Sequence, residues 1–121
     1  MTAPSKAAFC AIIVLLSAFS GAAHSAAIKK GMSFLEARKL LIYSKWRPYN
    51  VHEGQDYEYL GTEKELLKAR ILEVEKRAMD KAVCVLNYRK RNKCLRLFTQ
   101  GEEIKDMRVY HWNCSCSDGQ P

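Results

Sequence analysis

Val83-Cys84-Val85-Leu86-Asn87-Tyr88-Arg89 and Lys93-Cys94-Leu95-Arg96-Leu97-Phe98-Thr99, joined by Lys90-Arg91-Asn92, decide how this chain folds. Both runs alternate with a period of two and flank a short polar break, the pattern of an antiparallel hairpin. A tight closure at Arg91-Asn92 pairs Lys90 with Lys93, Arg89 with Cys94, Tyr88 with Leu95 and Leu86 with Leu97. Cys84, Leu86 and Tyr88 then share a face with Leu95 and Leu97, while Cys94 points the other way with Val85 and Phe98. Gly101-Glu102-Glu103 makes the next turn, and residues 107–113 supply a third strand.

Upstream, the period is helical. Ser33-Phe34-Leu35-Glu36 is a capping box, opening a helix to about Ser44. Phe34, Ala37, Leu40 and Leu41 line one face, with the stem of Lys45 one turn beyond Leu41. Pro48 prevents continuation, leaving Trp46 at the exit, where it is expected to be buried. Residues 49–59 are polar and irregular and read as a surface loop. After Gly61, Thr62-Glu63-Lys64-Glu65 is a second capping box, with Leu66, Leu67 and Ala69 as the stripe behind it. That helix either halts near Arg70 or runs on toward Asp80, and Glu73-Val74-Glu75 would equally suit a short strand. The expected fold is therefore α+β: two N-terminal helices packed on a three-stranded antiparallel meander, in a single domain over residues 28–116. Residues 117–121 are expected to fray.

The ends of the chain speak to location. One Lys precedes an unbroken small and apolar run over residues 7–19, followed by small residues that allow a cut after Ser25 or Ala27. Residues 1–25 thus read as a secretory signal peptide, too short to span a membrane, so no transmembrane segment is expected in the mature chain. The expected location is periplasmic or secreted. Cys10 leaves with the leader, and Cys84, Cys94, Cys114 and Cys116 remain. In an oxidising compartment four cysteines imply two disulfides. Opposite faces of the hairpin cannot supply the short Cβ separation a bridge needs, so Cys84–Cys94 is disfavoured. Each hairpin cysteine is expected to join Cys114 or Cys116, and of these two connectivities Cys94–Cys116 with Cys84–Cys114 better suits hairpin closure by its order along the last strand.

Losing Lys6 leaves 19 basic against 13 acidic residues, a net charge of +6. Outside the cytoplasm that charge meets lipid head groups, cell-wall polymers and acidic proteins rather than nucleic acid. No metal or other cofactor is expected. His111, Cys114 and Cys116 with Met107 have the composition of a soft-metal site, but disulfides compete for the same sulfurs. Nor do His52 and His111 sit in any base–nucleophile motif; the acid pairs Glu63/Glu65, Glu73/Glu75 and Glu102/Glu103 read as helix-cap and turn charges. Strict alternation puts Arg96, Phe98, Arg108, Tyr110 and Trp112 on the sheet face away from the helices, and aromatics with Arg are the enriched residues of protein-binding hot spots. The chain therefore reads as a non-enzymatic exported binding protein, an inhibitor or immunity-type protein occluding another envelope or secreted protein. The alternative is a cationic binder of anionic envelope polymer or membrane surface, using Arg89, Lys90, Arg91 and Lys93 at the hairpin tip.

Gly31-Met32-Ser33-x-x-Glu36-Ala37-Arg38-x-Leu40-Leu41 resembles the first helix of the β-lactamase-inhibitor/outer-membrane-assembly-lipoprotein group, and equally the helix of PASTA modules. Trp46-x-Pro48, Tyr59-x-Gly61, Glu73-Val74-Glu75, Cys84-x-x-Asn87-Tyr88, Cys94-Leu95-Arg96, Thr99-x-Gly101-Glu102 and Trp112 together resemble a group of small exported proteobacterial proteins. That resemblance implies compartment and fold and supplies no activity. Members of the group tend to carry a cysteine where Arg77 stands and a single C-terminal cysteine, so Cys114 plus Cys116 departs from their pattern.

Overall fold

The computed structural model describes residues 27–78 and 81–116; the expected leader over residues 1–25 and the tail over 117–121 lie outside them. At the centre of the fold, β3 (Val83–Lys90) and β4 (Lys93–Gln100) form the hairpin. Its register is the one a two-residue turn dictates: Lys90 opposite Lys93, Arg89 opposite Cys94, Tyr88 opposite Leu95 and Leu86 opposite Leu97. Arg91 in the turn takes a left-handed φ of 60°, as such tight turns require. The chain then passes Gly101 and a 3-10 turn, Ile104–Asp106, before β5 (Arg108–Asn113) pairs with β4. Gly101 is needed here because a Cβ would lie 2.4 Å from the Asp106 carbonyl oxygen.

The expected three-stranded meander is corrected to a five-stranded antiparallel sheet. The second edge of β3 is also paired, by two further strands lying end to end. β2 (Val74–Ala78) covers the first half of β3 and β1 (Arg47–Pro48) covers Arg89 and Tyr88. Asn87 is the joint between them: its N–H donates to the Glu73 carbonyl at 2.9 Å, and its carbonyl accepts from the Tyr49 N–H at 3.0 Å. Neither added strand announces itself by period. β1 is two residues long, and β2 carries a bulge between Val74 and Lys76 that breaks its alternation.

The helices are α1 (Phe34–Tyr43) and α2 (Thr62–Lys68). α1 begins as its cap implies, with the Glu36 N–H donating to Ser33 Oγ at 3.1 Å. Residues 31–34 seat it by backbone bonds to Met107 and Val109. α2 starts differently from the expected capping box. Gly61 is its N-cap, the Thr62 hydroxyl instead donates to the Glu102 carbonyl, and Glu63 reaches back to accept from the Leu60 N–H. It ends at Lys68, where Arg70 at a φ of 65° turns the chain toward β2. The helix packing also departs from expectation. α1 lies nearest the 3-10 turn, β1 and β5, and α2 nearest β2 and the same turn, so the helices are not laid across a meander. Their buried side chains, Phe34, Ala37, Leu41 and Leu66, join Trp46, Leu86, Tyr88, Leu95 and Leu97 in one core.

One expected disulfide forms, Cys94–Cys116, with Cα atoms 5.0 Å apart. The expected Cys84–Cys114 bridge does not: Cys84 is a free, buried thiol and Cys114 is engaged elsewhere. Position along the strands explains it. Cys84 lies opposite Thr99, whereas Asn113, just before Cys114, lies opposite Arg96. That offset is about 10 Å along the sheet, two strands away, beyond the roughly 7 Å Cα limit of a bridge. Burial pushes the Cys84 thiol up to about 11, against the lowering effect of Arg77.

Two outcomes follow from this packing. Trp46 is 3% exposed, and its replacement by Ala should cost about 3–5 kcal/mol in chemical denaturation; a near-wild-type midpoint would move it out of the core. Thiol labelling of the folded protein should leave Cys84 untouched and modify it once denaturant is added without reductant, because a buried neutral thiol is unreactive. Rapid labelling of native Cys84 would contradict its place in the core.

Candidate functional site

The five residues expected on the outer sheet face do not stay together. A β-bulge interrupts the β4–β5 register between Phe98 and Thr99, so two residues of β5 oppose one of β4 there. Beyond it Phe98 faces His111 and Leu97 faces Trp112. Trp112 therefore turns to the core side, where it is partly buried against the main cluster, and His111 takes the outer place. Phe98 keeps Tyr110 and His111 as neighbours, with ring centroids at 6.3 and 5.2 Å. Arg96 is on this face but engaged: Nη2 donates to Glu75 Oε2 at 2.9 Å and Nε to Oε1 at 3.2 Å. Asn87 Nδ2 adds a third bond to Glu75. Arg108 lies at the far end beside Gln100, donating weakly to the Gly31 carbonyl. The outer face thus presents Phe98, Tyr110 and His111 around a closed Arg96–Glu75 pair. Nothing in the alternation of residues 107–113 signals the bulge.

On the core side, Glu73 is fully buried and saturated. It accepts from Arg38 Nε at 2.5 Å and Nη2 at 3.1 Å, and from the Tyr88 hydroxyl at 2.6 Å. The bond to Glu73 holds the Arg38 guanidinium above its ordinary value, with burial opposing. Burial first, and then the Glu73 charge, hold the Tyr88 phenol neutral far above its ordinary range. With every lone-pair partner internal, this triad ties α1 to β3 and presents no reactive group to solvent.

The 49–59 loop closes in a similar way. His52 stacks on Tyr57 at 3.6 Å and its Nε2 lies 2.7 Å from the Glu75 carbonyl. Tyr57 donates to the buried Glu63 at 3.0 Å, and its phenol is pushed up to about 12 by desolvation and by Glu63. Among the described residues no three His, Cys, Asp or Glu side chains gather as metal ligands. A cavity of about 430 Å³ lies between α2 and the 3-10 turn, lined by Thr62, Glu65, Glu103, Ile104 and Lys105. Lys105 there is held by Glu103 and Asp106.

The hairpin end is different in kind. β1 brings Arg47 opposite Arg89, and the turn sets Lys90 opposite Lys93, with Arg91 between them and Lys45 just before β1. Like charges directly opposite one another destabilise a sheet. No carboxylate among the described residues pairs with any of the six, and neither 37–52 nor 81–101 contains an Asp or Glu. Aromatic faces support the cations instead: the Arg89 guanidinium lies 3.9 Å from the Tyr49 ring centroid and Lys90 Nζ 5.8 Å from that of Trp46, a contact worth about 0.5–1 kcal/mol at exposed sites. Arg89, Lys90, Arg91 and Lys93 are the residues expected from sequence at the alternative site. Lys45 and Arg47 are not legible beside them in sequence, because only the pairing of a two-residue strand with one far along the chain brings them there. The acid-free stretch 37–52 was the available signal.

No protein-family model, curated protein or solved structure matches this chain. The bulge separates the two aromatics of β5 by role. Trp112→Ala should lower stability by about 2–3 kcal/mol, as a partly filled core position does, while Tyr110→Ala should stay within about 0.5 kcal/mol of wild type, as surface substitutions do. Equal effects in thermal melting would indicate an unbroken alternation.

Proposed function

We propose that this protein is a non-enzymatic, exported binding protein that captures an anionic surface or polymer of the cell envelope through its hairpin end. The observation that carries this reading is the gathering of six cations from two distant segments, two pairs of them set like against like, with no carboxylate beside them. Setting like charges opposite one another gains a fold no stability; an anionic partner would relieve the repulsion. Export is supported by the Cys94–Cys116 disulfide, a bond that persists in oxidising compartments. Among the described residues no helix is long and apolar enough to cross a membrane.

Capture by such a surface acts through field rather than fit. The cations attract a polyanion over roughly a Debye length, about 8 Å at physiological salt, and each contributes about 1 kcal/mol near an anionic surface. Binding to immobilised polyphosphate should therefore fall steeply with ionic strength. The Arg47→Gln/Lys93→Gln double variant should bind about 30-fold more weakly while melting at or slightly above the wild-type temperature. Unchanged binding by that variant would refute the hairpin-end reading.

A second reading keeps the protein as an inhibitor or immunity-type partner of another envelope protein. It is favoured by the Phe98–Tyr110–His111 cluster, whose Tyr110 is exposed. That interface would lose on-rate rather than hold with rising salt, and Tyr110→Ala would abolish it.

A further inference from the structure

We infer that the hairpin end docks on an anionic phospholipid bilayer, with Ile42 and Tyr43 from the last turn of α1 entering the headgroup region. This rests on the reading of the hairpin end as an anion-capturing surface and names the anion. Residues 42–49 supply Lys45 and Arg47 to the cationic cluster, and the same eight residues hold three exposed large apolar side chains: Ile42 at 42%, Tyr43 at 73% and Tyr49 at 37%. Lys39, also exposed, sits one helical turn before Tyr43 on the same side of α1.

A soluble polyanion offers nothing to exposed Ile and Tyr side chains. A bilayer interface offers both things this stretch displays: anionic headgroups for the cations, and a boundary layer in which tyrosine rings are enriched. Interfacial binding strengthens with the apolar area inserted as well as with the charge attracted, so the two features belong to one mode of attachment. The stretch is also held rigidly. The Ser44 hydroxyl donates to the Leu40 carbonyl at 2.9 Å, the Trp46 N–H to the Leu41 carbonyl at 2.9 Å, and the Tyr49 N–H to Asn87. Tyr49 is in addition stacked beneath Arg89. The apolar side chains and the cations thus belong to a single fixed end of the molecule.

Three probes test this with the full mature chain: vesicles of phosphatidylcholine mixed with phosphatidylglycerol, vesicles of phosphatidylcholine alone, and polyphosphate free of lipid. The wild type should sediment with the mixed vesicles and not with the neutral ones. The Ile42→Ser/Tyr43→Ser variant, whose changes lie on the surface and should leave the melting temperature unmoved, should lose about tenfold in binding to the mixed vesicles and bind polyphosphate as wild type does. Equal vesicle binding by variant and wild type overturns the insertion of Ile42 and Tyr43. Wild-type binding to polyphosphate but not to mixed vesicles overturns the lipid surface and leaves the charge reading standing. Binding to neither overturns both, and equal binding to neutral vesicles overturns the requirement for anionic lipid.

Discussion

A strand with both edges inside a protein must find partners for every backbone N–H and carbonyl along it, and β3 meets that demand with three strands rather than two. β4 takes one edge whole. The other is divided at Asn87, which receives β2 on one side and β1 on the other and bonds both through its own peptide group. Most of the molecule's arrangement descends from that division. The turn out of α1 must deliver Arg47 and Pro48 to β3, which places Trp46 over the core. The chain must then cross back through the 49–59 loop and α2 to deliver Val74.

Three internal carboxylates, Glu63 and Glu73 buried and Glu75 partly so, hold these deliveries in place. Glu73 sits at the entry to β2 and is saturated by Arg38 and Tyr88; Glu75 lies in the β2 bulge and is saturated by Arg96 and Asn87; Glu63 anchors the loop through Leu60 and Tyr57. Removing Arg38 from Glu73 should cost about 3–5 kcal/mol, because the charge left behind is fully buried. These acids join segments that helix and strand periodicity would leave independent. With the bridge from Cys94 to Cys116, they give a small domain the cross-links its limited core needs.

Two groups of cations contrast with each other. Those of Arg38 and Arg96 are internal to the fold, facing Glu73 and Glu75. Those of Lys45, Arg47, Arg89, Lys90, Arg91 and Lys93 gather at the hairpin end, where Arg47 lies opposite Arg89 and Lys90 opposite Lys93. The first group explains stability and makes the Arg96 side of the sheet a poor candidate for recognition, since its guanidinium is already committed. The second receives no carboxylate from the fold among the described residues. That contrast directs attention from the outer sheet face to the hairpin end.

Local pattern was enough for several features. The β3–β4 register followed from a two-residue turn and a period of two, and with it the placement of Cys84 and Cys94 on opposite faces. The start of α1 was legible in Ser33 and Glu36, the burial of Trp46 in its place before Pro48, and a bridge from Cys94 to the C-terminal cysteines in the opposite faces of the hairpin. Tertiary structure alone decided the rest. β1 and β2 exist as strands because β3 has an edge to fill, a demand carried by backbone hydrogen bonds and not by side-chain period. The bulge beside Phe98 turned Trp112 toward the core and His111 away from it, a one-residue slip that reverses faces without altering composition. Cys84 stayed a thiol because distance along the sheet, invisible to an argument about faces, kept it from Cys114. The cationic end, too, is half local and half not: the hairpin tip is written in consecutive residues, while Lys45 and Arg47 reach it only through the pairing of Arg47 with Arg89.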